Sequence, residues 1–419
     1  MTTPHPALRL SDRIAELLTD PADAPPAWTS RPHWRQSLAH GAPGIALLHI
    51  ERAATGRGPW DPARAWLAVA ADGPVTSGAD SYLYYGAPAL AHTLACAAQA
   101  RPGSCSNALA HLDGAVAVNA LRRCDATLAR IARGDLPTLA EFDAIRGLAG
   151  VGSVLLRRAP DGEAIQRVLH CLTRLTAGVK HNGRMLPGWW TQDGPSGTPD
   201  ERFPGGHANS GLAHGIVGPL ALLSLALRRG IEVDGQRESI HTILVWLGRW
   251  RDGHAWPYWI TPGNLDGAAR TPLAPQRPSW CYGTAGVARA LQLAALALDD
   301  SRLRHRAEST LATALADPKA LAATTDLSAC HGYAGLAHIA HRAAADALPR
   351  NAALLRAGAS VLLDTAHPPH TDPDEQARRL LAMAGPGFLE GAAGTALALL
   401  APATGTPPAT HWDACLLTS

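Results

Sequence analysis

Apolar positions along the chain recur at helical spacing, and the same short phrase precedes each apolar run. Gly-x-x-Gly, or a near relative, stands at His40-Gly41-Ala42-Pro43-Gly44, Tyr85-Gly86-Ala87-Pro88-Ala89, Arg146-Gly147-Leu148-Ala149-Gly150 and His214-Gly215-Ile216-Val217-Gly218. It returns at Tyr282-Gly283-Thr284-Ala285-Gly286, His331-Gly332-Tyr333-Ala334-Gly335 and Glu390-Gly391-Ala392-Ala393-Gly394. Each interval between first glycines leaves room for a helical hairpin and a variable loop. A single copy would mark no more than a loop in a sequence with 40 glycines. Seven copies, each followed by an apolar helix, predict seven helix-pair repeats, one inner and one outer helix in each. Amphipathic stretches rich in Ala, Leu and Arg, such as 289–297 and 309–315, lie between the phrases. Glycine at the start of each inner helix relieves crowding where helix ends converge, at some cost in helix propensity. Seven pairs closing on themselves predict an all-α fold, an α/α toroid, with the glycine phrases at one end of the central barrel.

Three segments break the pattern. Residues 182–206 and 251–278 are rich in Trp, Gly and Pro and read as long loops or short hairpins, and 95–136 reads as extra structure outside the ring. Seven of the twelve tryptophans fall between Trp189 and Trp280, where they serve either as core filler or as an aromatic wall for a peptide. No linker interrupts the chain, so 1–419 is expected to be a single domain.

The repeats become a chemical argument once aligned on their first glycine, because equivalent offsets must come close where the inner helices start. One residue before that glycine stand His40, Tyr85, Arg146, His214, Tyr282, His331 and Glu390. Two residues before it, cysteine occurs only as Cys281 and Cys330, in consecutive repeats that a ring makes neighbours. Taken singly, each would read as a small buried hydrophobe. Their matched register instead predicts that Cys281, Cys330 and His331 converge as metal ligands. Two thiolates and an imidazole suit zinc far better than magnesium, calcium or manganese, and three protein ligands leave a fourth position open for catalysis. His338 and His341, and the pair His367 and His370, have no third partner set by the repeat and read as core and surface histidines. No Cys-x-x-Cys, His-Glu-x-x-His, Walker or Gly-x-Ser-x-Gly motif occurs.

Composition narrows the class. The chain is 47% apolar and 17% charged, that of a folded globular protein, and its net charge of +2 has no basic run behind it, so neither nucleic acid nor an anionic membrane is implied. The first amphipathic stretch carries acidic residues and no basic-then-apolar leader, which predicts a cytoplasmic protein. Apolar runs such as 216–227 are too short to span a bilayer. Seven cysteines at irregular spacing argue against a disulfide framework.

At Ala213-His214-Gly215, Arg277-Pro278-Ser279-Trp280-Cys281-Tyr282-Gly283 and Cys330-His331-Gly332, in that order, the sequence resembles the lanthionine cyclase (LanC) family, essentially over its full length. The resemblance implies the α/α toroid, one zinc per chain on Cys281, Cys330 and His331, and a stand-alone lanthipeptide (lantibiotic) cyclase. It implies His214 as the active-site acid or base, with Asp143 near it, and places Arg277 and Tyr282 at further catalytic positions. The implied substrate is a dehydrated precursor peptide, with a dehydratase and an exporter as companions. Repeat two departs from the phrase, with Ala89 where the second glycine would stand.

The chemistry this predicts is addition of a peptide cysteine thiol to dehydroalanine or dehydrobutyrine, followed by protonation of the enolate by His214. Asp143 and Arg277 could also simply brace the ring's mouth as an ion pair. Other toroidal enzymes fit less well. A glycosidase needs paired carboxylates, a terpene cyclase needs an aspartate-rich magnesium motif, and a prenyltransferase needs a second subunit. The remaining alternative is a non-catalytic LanC-like zinc protein that binds glutathione or a protein partner.

Overall fold

A computed structural model describes residues 5–31, 33–267, 273 and 276–419. Every glycine phrase leads into a helix. We number these inner helices α1 (Ala42–Ala54), α2 (Ala87–Ala100), α3 (Leu148–Arg158), α4 (Val217–Arg228), α5 (Thr284–Leu298), α6 (Tyr333–Asp346) and α7 (Ala392–Thr404). They are apolar around most of their circumference, and in α4 every residue from Val217 to Leu227 is buried.

Backbone contacts group the chain into two compact units, one holding the chain up to Ala115 with Thr324–Cys415, the other holding Val116–Ala323 with Leu416–Thr418. In the first unit the inner helices neighbour one another in the order α2, α1, α7, α6. The first and last repeats are thus adjacent, as ring closure requires. Outer helices Asp61–Ala70 and Pro349–Ala366 pack on α1 and α6. One detail differs from the expectation of an inner helix followed by its own outer helix. Among the described residues no outer helix follows α7, and the helix Ala7–Leu17 packs against it instead. In the second unit the order is α3, α4, α5, with outer helices Glu163–Leu175, Gln236–Trp250 and Ser301–Ala316.

Two positions show what the glycines do. A Cβ on Gly283 would lie 2.1 Å from the backbone nitrogen of Ser279, and one on Gly286 would lie 2.1 Å from the carbonyl oxygen of Trp280. The turn before each inner helix is folded so tightly against the helix start that no side chain fits. The Gly286 N–H donates to the Ser279 carbonyl at 3.2 Å, and the same bond seven residues back joins Gly150 to Asp143, Gly335 to Ser328 and Gly394 to Gly387. Repeat two takes another course. Gly86 has φ of +74°, its own turn is closed by a Tyr82–Tyr85 bridge, and Ala89 is accommodated.

These turns are stitched together through the residue two before the glycine. In the first unit Leu38 N–H donates to Tyr84 O, Leu389 N–H to Ala39 O and Cys330 N–H to Leu389 O; in the second, Ala144 N–H donates to Ala213 O and Ala213 N–H to Cys281 O, all at 2.9–3.2 Å. Equal offset therefore means spatial adjacency within each unit.

The only strands among the described residues lie in or directly beside the irregular segments 182–206 and 251–278. Strands β1 (Val179–His181) and β2 (Arg184–Leu186) form a hairpin, and β3 (Ala208–Asn209) pairs antiparallel with β4 (Trp259–Ile260). Residues 95–136 comprise the end of α2 and the 28-residue helix Ser106–Arg133. Of the 251–278 excursion, residues 268–272, 274 and 275 lie outside the described residues.

Candidate active site and metal centre

The residue four before the first glycine caps the turn with its side chain in four of the seven repeats. Ser328 Oγ accepts the N–H of His331 at 3.1 Å, Ser37 Oγ that of His40 at 3.1 Å, and Ser279 Oγ that of Tyr282 at 3.4 Å. Asp143 is the counterpart in repeat three. Its Oδ1 accepts the N–H groups of Arg146 at 2.6 Å and Gly147 at 2.7 Å. A carboxylate has a second oxygen, and Oδ2 of Asp143 lies 2.7 Å from Nδ1 of His214 in the next repeat. Asp143 is fully buried and His214 half-buried, so a rigid carboxylate holds a partly accessible imidazole.

Tyr282 stands one repeat further on, at the same offset as His214, and the two ring centroids are 6.1 Å apart. It begins an aromatic wall built largely by the irregular segments: Tyr258 and Trp259 lie 5.6 and 6.0 Å from Tyr282, and Phe203 lies 5.2 Å from Trp259. Burial pushes the Tyr258 phenol above its ordinary range, and the charge of Arg277 opposes that shift. Arg277 is half-buried and makes no side-chain hydrogen bond or ion pair among the described residues. An Asp143–Arg277 ion pair is therefore not formed; the Asp143 carboxylate is engaged by His214 and two backbone N–H groups.

Cys281, Cys330 and His331 each offer one ligand atom, and the three atoms all lie within 4.8 Å of one another. Both cysteines are buried and the histidine is half-buried. Two thiols and one imidazole at this spacing form a soft donor set that fits zinc and does not fit a hard oxygen-seeking cation.

One residue at this centre escaped the sequence reading. Asp326 lies five residues before His331, and its Oδ2 is 3.1 Å from Nε2 of His331. Its Oδ1 accepts the N–H of Ser328 at 2.8 Å. Burial alone raises the Asp326 carboxyl, but hydrogen bonds from His331 and Ser328 outweigh it and hold the group at about 2. No Gly-x-x-Gly offset singles out this position, because the residues six before the first glycine are Arg35, Asp80, Glu141, Asn209, Arg277, Asp326 and Gly385, too mixed a set to mark one of them.

Tightly turned helix-pair repeats thus carry a carboxylate–imidazole pair, Asp143 and His214, and a group of two thiols and one imidazole that could hold a metal ion. The chain belongs to the lanthionine synthetase C-like protein family, which matches residues 32–417. Among curated proteins it is similar to the nisin biosynthesis protein NisC of Lactococcus lactis subsp. lactis, at 26% identity over 211 residues. That similarity spans 48% of this chain, and about half (48%) of the length of NisC. Among solved structures, a nisin cyclase superposes with a TM-score of 0.74 over 98% of this chain and 96% of that one, at 21% identity. The fold is the all-α, α/α toroid expected from the repeats. No helix among the described residues is long and apolar enough to cross a membrane.

Proposed function

We propose that this protein is a zinc-dependent lanthipeptide cyclase that closes (methyl)lanthionine thioether rings in a dehydrated precursor peptide. The observation that carries the reading is the approach of the Cys281, Cys330 and His331 ligand atoms to within 4.8 Å. Cys281, Cys330 and His331 would hold the zinc ion, and a zinc held by three protein ligands would be able to take up a substrate thiol. The family match over 32–417 supports treating 1–419 as one cyclase domain.

Zinc held by Cys281, Cys330 and His331 supplies thiol activation, lowering the pKa of a peptide cysteine from its usual value of about 8.5. The thiolate sulfur adds to the β-carbon of dehydroalanine or dehydrobutyrine, and the alkene electrons move through the α-carbon to the carbonyl oxygen as an enolate. His214 returns a proton to the α-carbon, so the proton lost by the thiol and the one gained at carbon balance. Because Nδ1 of His214 faces Asp143, the working proton sits on Nε2. The buried carboxylate stabilises the imidazolium that carries this proton. Arg277, with its guanidinium uncommitted, supplies positive charge for the enolate oxygen. Tyr282 and the aromatic wall beside it hold the peptide against the dyad. On this reading the protein works in the cytoplasm beside a dehydratase and an exporter.

The test is cyclisation of a dehydrated Cys-containing peptide, with unreacted thiols counted by alkylation and mass spectrometry. Wild type should protect the thiols and the Cys330→Ala variant should not. Equal alkylation with wild type and with no enzyme, across peptides with different spacings between cysteine and dehydroamino acid, would overturn the proposal.

A further inference from the structure

We propose that Asp326 is the positioning residue of the metal centre, accepting the Nε2 proton of His331 and so fixing the tautomer that leaves the Nδ1 lone pair for the metal. The inference rests on the proposed zinc reading of Cys281, Cys330 and His331, and concerns a residue outside that ligand set.

The geometry is that of a carboxylate locked before it meets the imidazole. Asp326 Oδ2 lies 3.1 Å from His331 Nε2, while Oδ1 is held by the Ser328 N–H at 2.8 Å and the Asp326 carbonyl accepts the N–H of Tyr333 at 3.1 Å. Ser328 Oγ in turn accepts the His331 N–H at 3.1 Å, so the loop braces both the backbone and the ring of the histidine. Gly332 completes the arrangement: a Cβ there would come within 2.5 Å of Asp326 Oδ1. A neutral imidazole has one N–H and one lone pair. With Nε2–H donated to Asp326, only Nδ1 can bind a cation. Carboxylates that accept the second ring proton of a metal-bound histidine orient the ring and raise its basicity, and their loss costs about 10–100-fold in metal affinity.

The other account of this contact is a half-exposed ion pair that only steadies the turn, and such pairs contribute little. The two accounts separate in a zinc titration against a competing chelator, combined with thermal melting of the metal-free protein, on wild type, Asp326→Asn and Asp326→Ala. Asparagine can still accept the Ser328 N–H through Oδ1 and keeps the turn closed. Positioning predicts a metal-free melting temperature for Asp326→Asn equal to wild type, with zinc affinity reduced several-fold, and a reduction of about 10–100-fold in Asp326→Ala. Wild-type zinc affinity in Asp326→Asn and Asp326→Ala would overturn this inference while leaving the zinc centre standing. A loss of metal-free stability in Asp326→Asn without loss of affinity would also overturn it. A wild type that binds no zinc would overturn the centre itself, and the role of Asp326 with it.

Discussion

Nδ1 of His214 and Oδ2 of Asp143 lie 2.7 Å apart, and the other oxygen of that buried carboxylate closes the turn ahead of α3 through the N–H groups of Arg146 and Gly147. One side chain thus has two tasks that substitution can separate. Asp143→Asn keeps an oxygen for the two N–H groups but presents an amide to His214, so stability should hold while ring closure slows. Asp143→Ala removes the acceptor of the buried Gly147 N–H and the part-buried Arg146 N–H, and should also destabilise the fold by about 1–3 kcal/mol. His214→Asn should cost about 10²–10⁴-fold in cyclisation rate. Urea unfolding and single-turnover cyclisation measure the two effects, and Asp143→Asn cyclising at the wild-type rate would remove the aspartate from the mechanism.

Loss of the metal should follow loss of any one thiol. Cys281→Ala and Cys330→Ala each leave two of the three donors that lie within 4.8 Å of one another, too few for a tetrahedral centre with one open position. Metal analysis of purified protein should give one zinc per chain in wild type and a small fraction of that in either variant. Stoichiometric zinc in Cys281→Ala would place the metal elsewhere.

The ring was legible because its repeat is written in glycine. Gly283 and Gly286 recur where backbone atoms come too close for a Cβ, so each repeat carries its own marker, and the offsets two and one before the first glycine bring Cys281, Cys330 and His331 together. The offset four before the glycine went unread, because Asp143 shares it with Ser37, Ser279 and Ser328, and aspartate does not resemble serine until both are seen capping the same turn. Asp326 shares its offset with Asp80 but also with Arg35, Asn209, Arg277 and Gly385, so the repeat does not announce it. The packing of Ala7–Leu17 against α7 was hidden for another reason: an amphipathic helix shows that it has a partner, and its sequence does not say which.

The glycine argument predicts opposite signs at two sites. Gly286→Ala would drive a methyl group to 2.1 Å from the Trp280 carbonyl oxygen, and since backbone cannot swing away as a side chain does, it should destabilise by about 1–3 kcal/mol or more. Gly248 lies in the outer helix Gln236–Trp250, with nothing within 4 Å of the place a Cβ would occupy. Gly248→Ala should therefore stabilise by about 0.5–1 kcal/mol through helix propensity alone. Denaturant midpoints decide the matter, and a neutral Gly286→Ala would mean the turns are looser than their hydrogen bonds indicate.

Acid should weaken the fold as the pH falls from about 6.5 toward 4, and buried histidines are one reason. Burial, joined by the charge of Arg52, lowers His49 from 6.5 to about 4 against the opposing hydrogen bond to the Leu18 carbonyl; burial also lowers His207, stacked 4.0 Å from Phe203, to about 4. Between those values and 6.5 the unfolded chain binds a proton that the folded chain refuses. Stability is therefore intact above about pH 6.5, falls as the pH drops toward 4 and levels off below, by up to about 3 kcal/mol for each histidine. His49→Gln can still donate to the Leu18 carbonyl and has nothing to titrate. Urea unfolding at intervals from pH 7.5 to 4.5 should show a shallower decline in this variant than in wild type. Parallel curves would mean that His49 is protonated as readily in the fold as out of it, and would move the origin of the acid sensitivity to other groups.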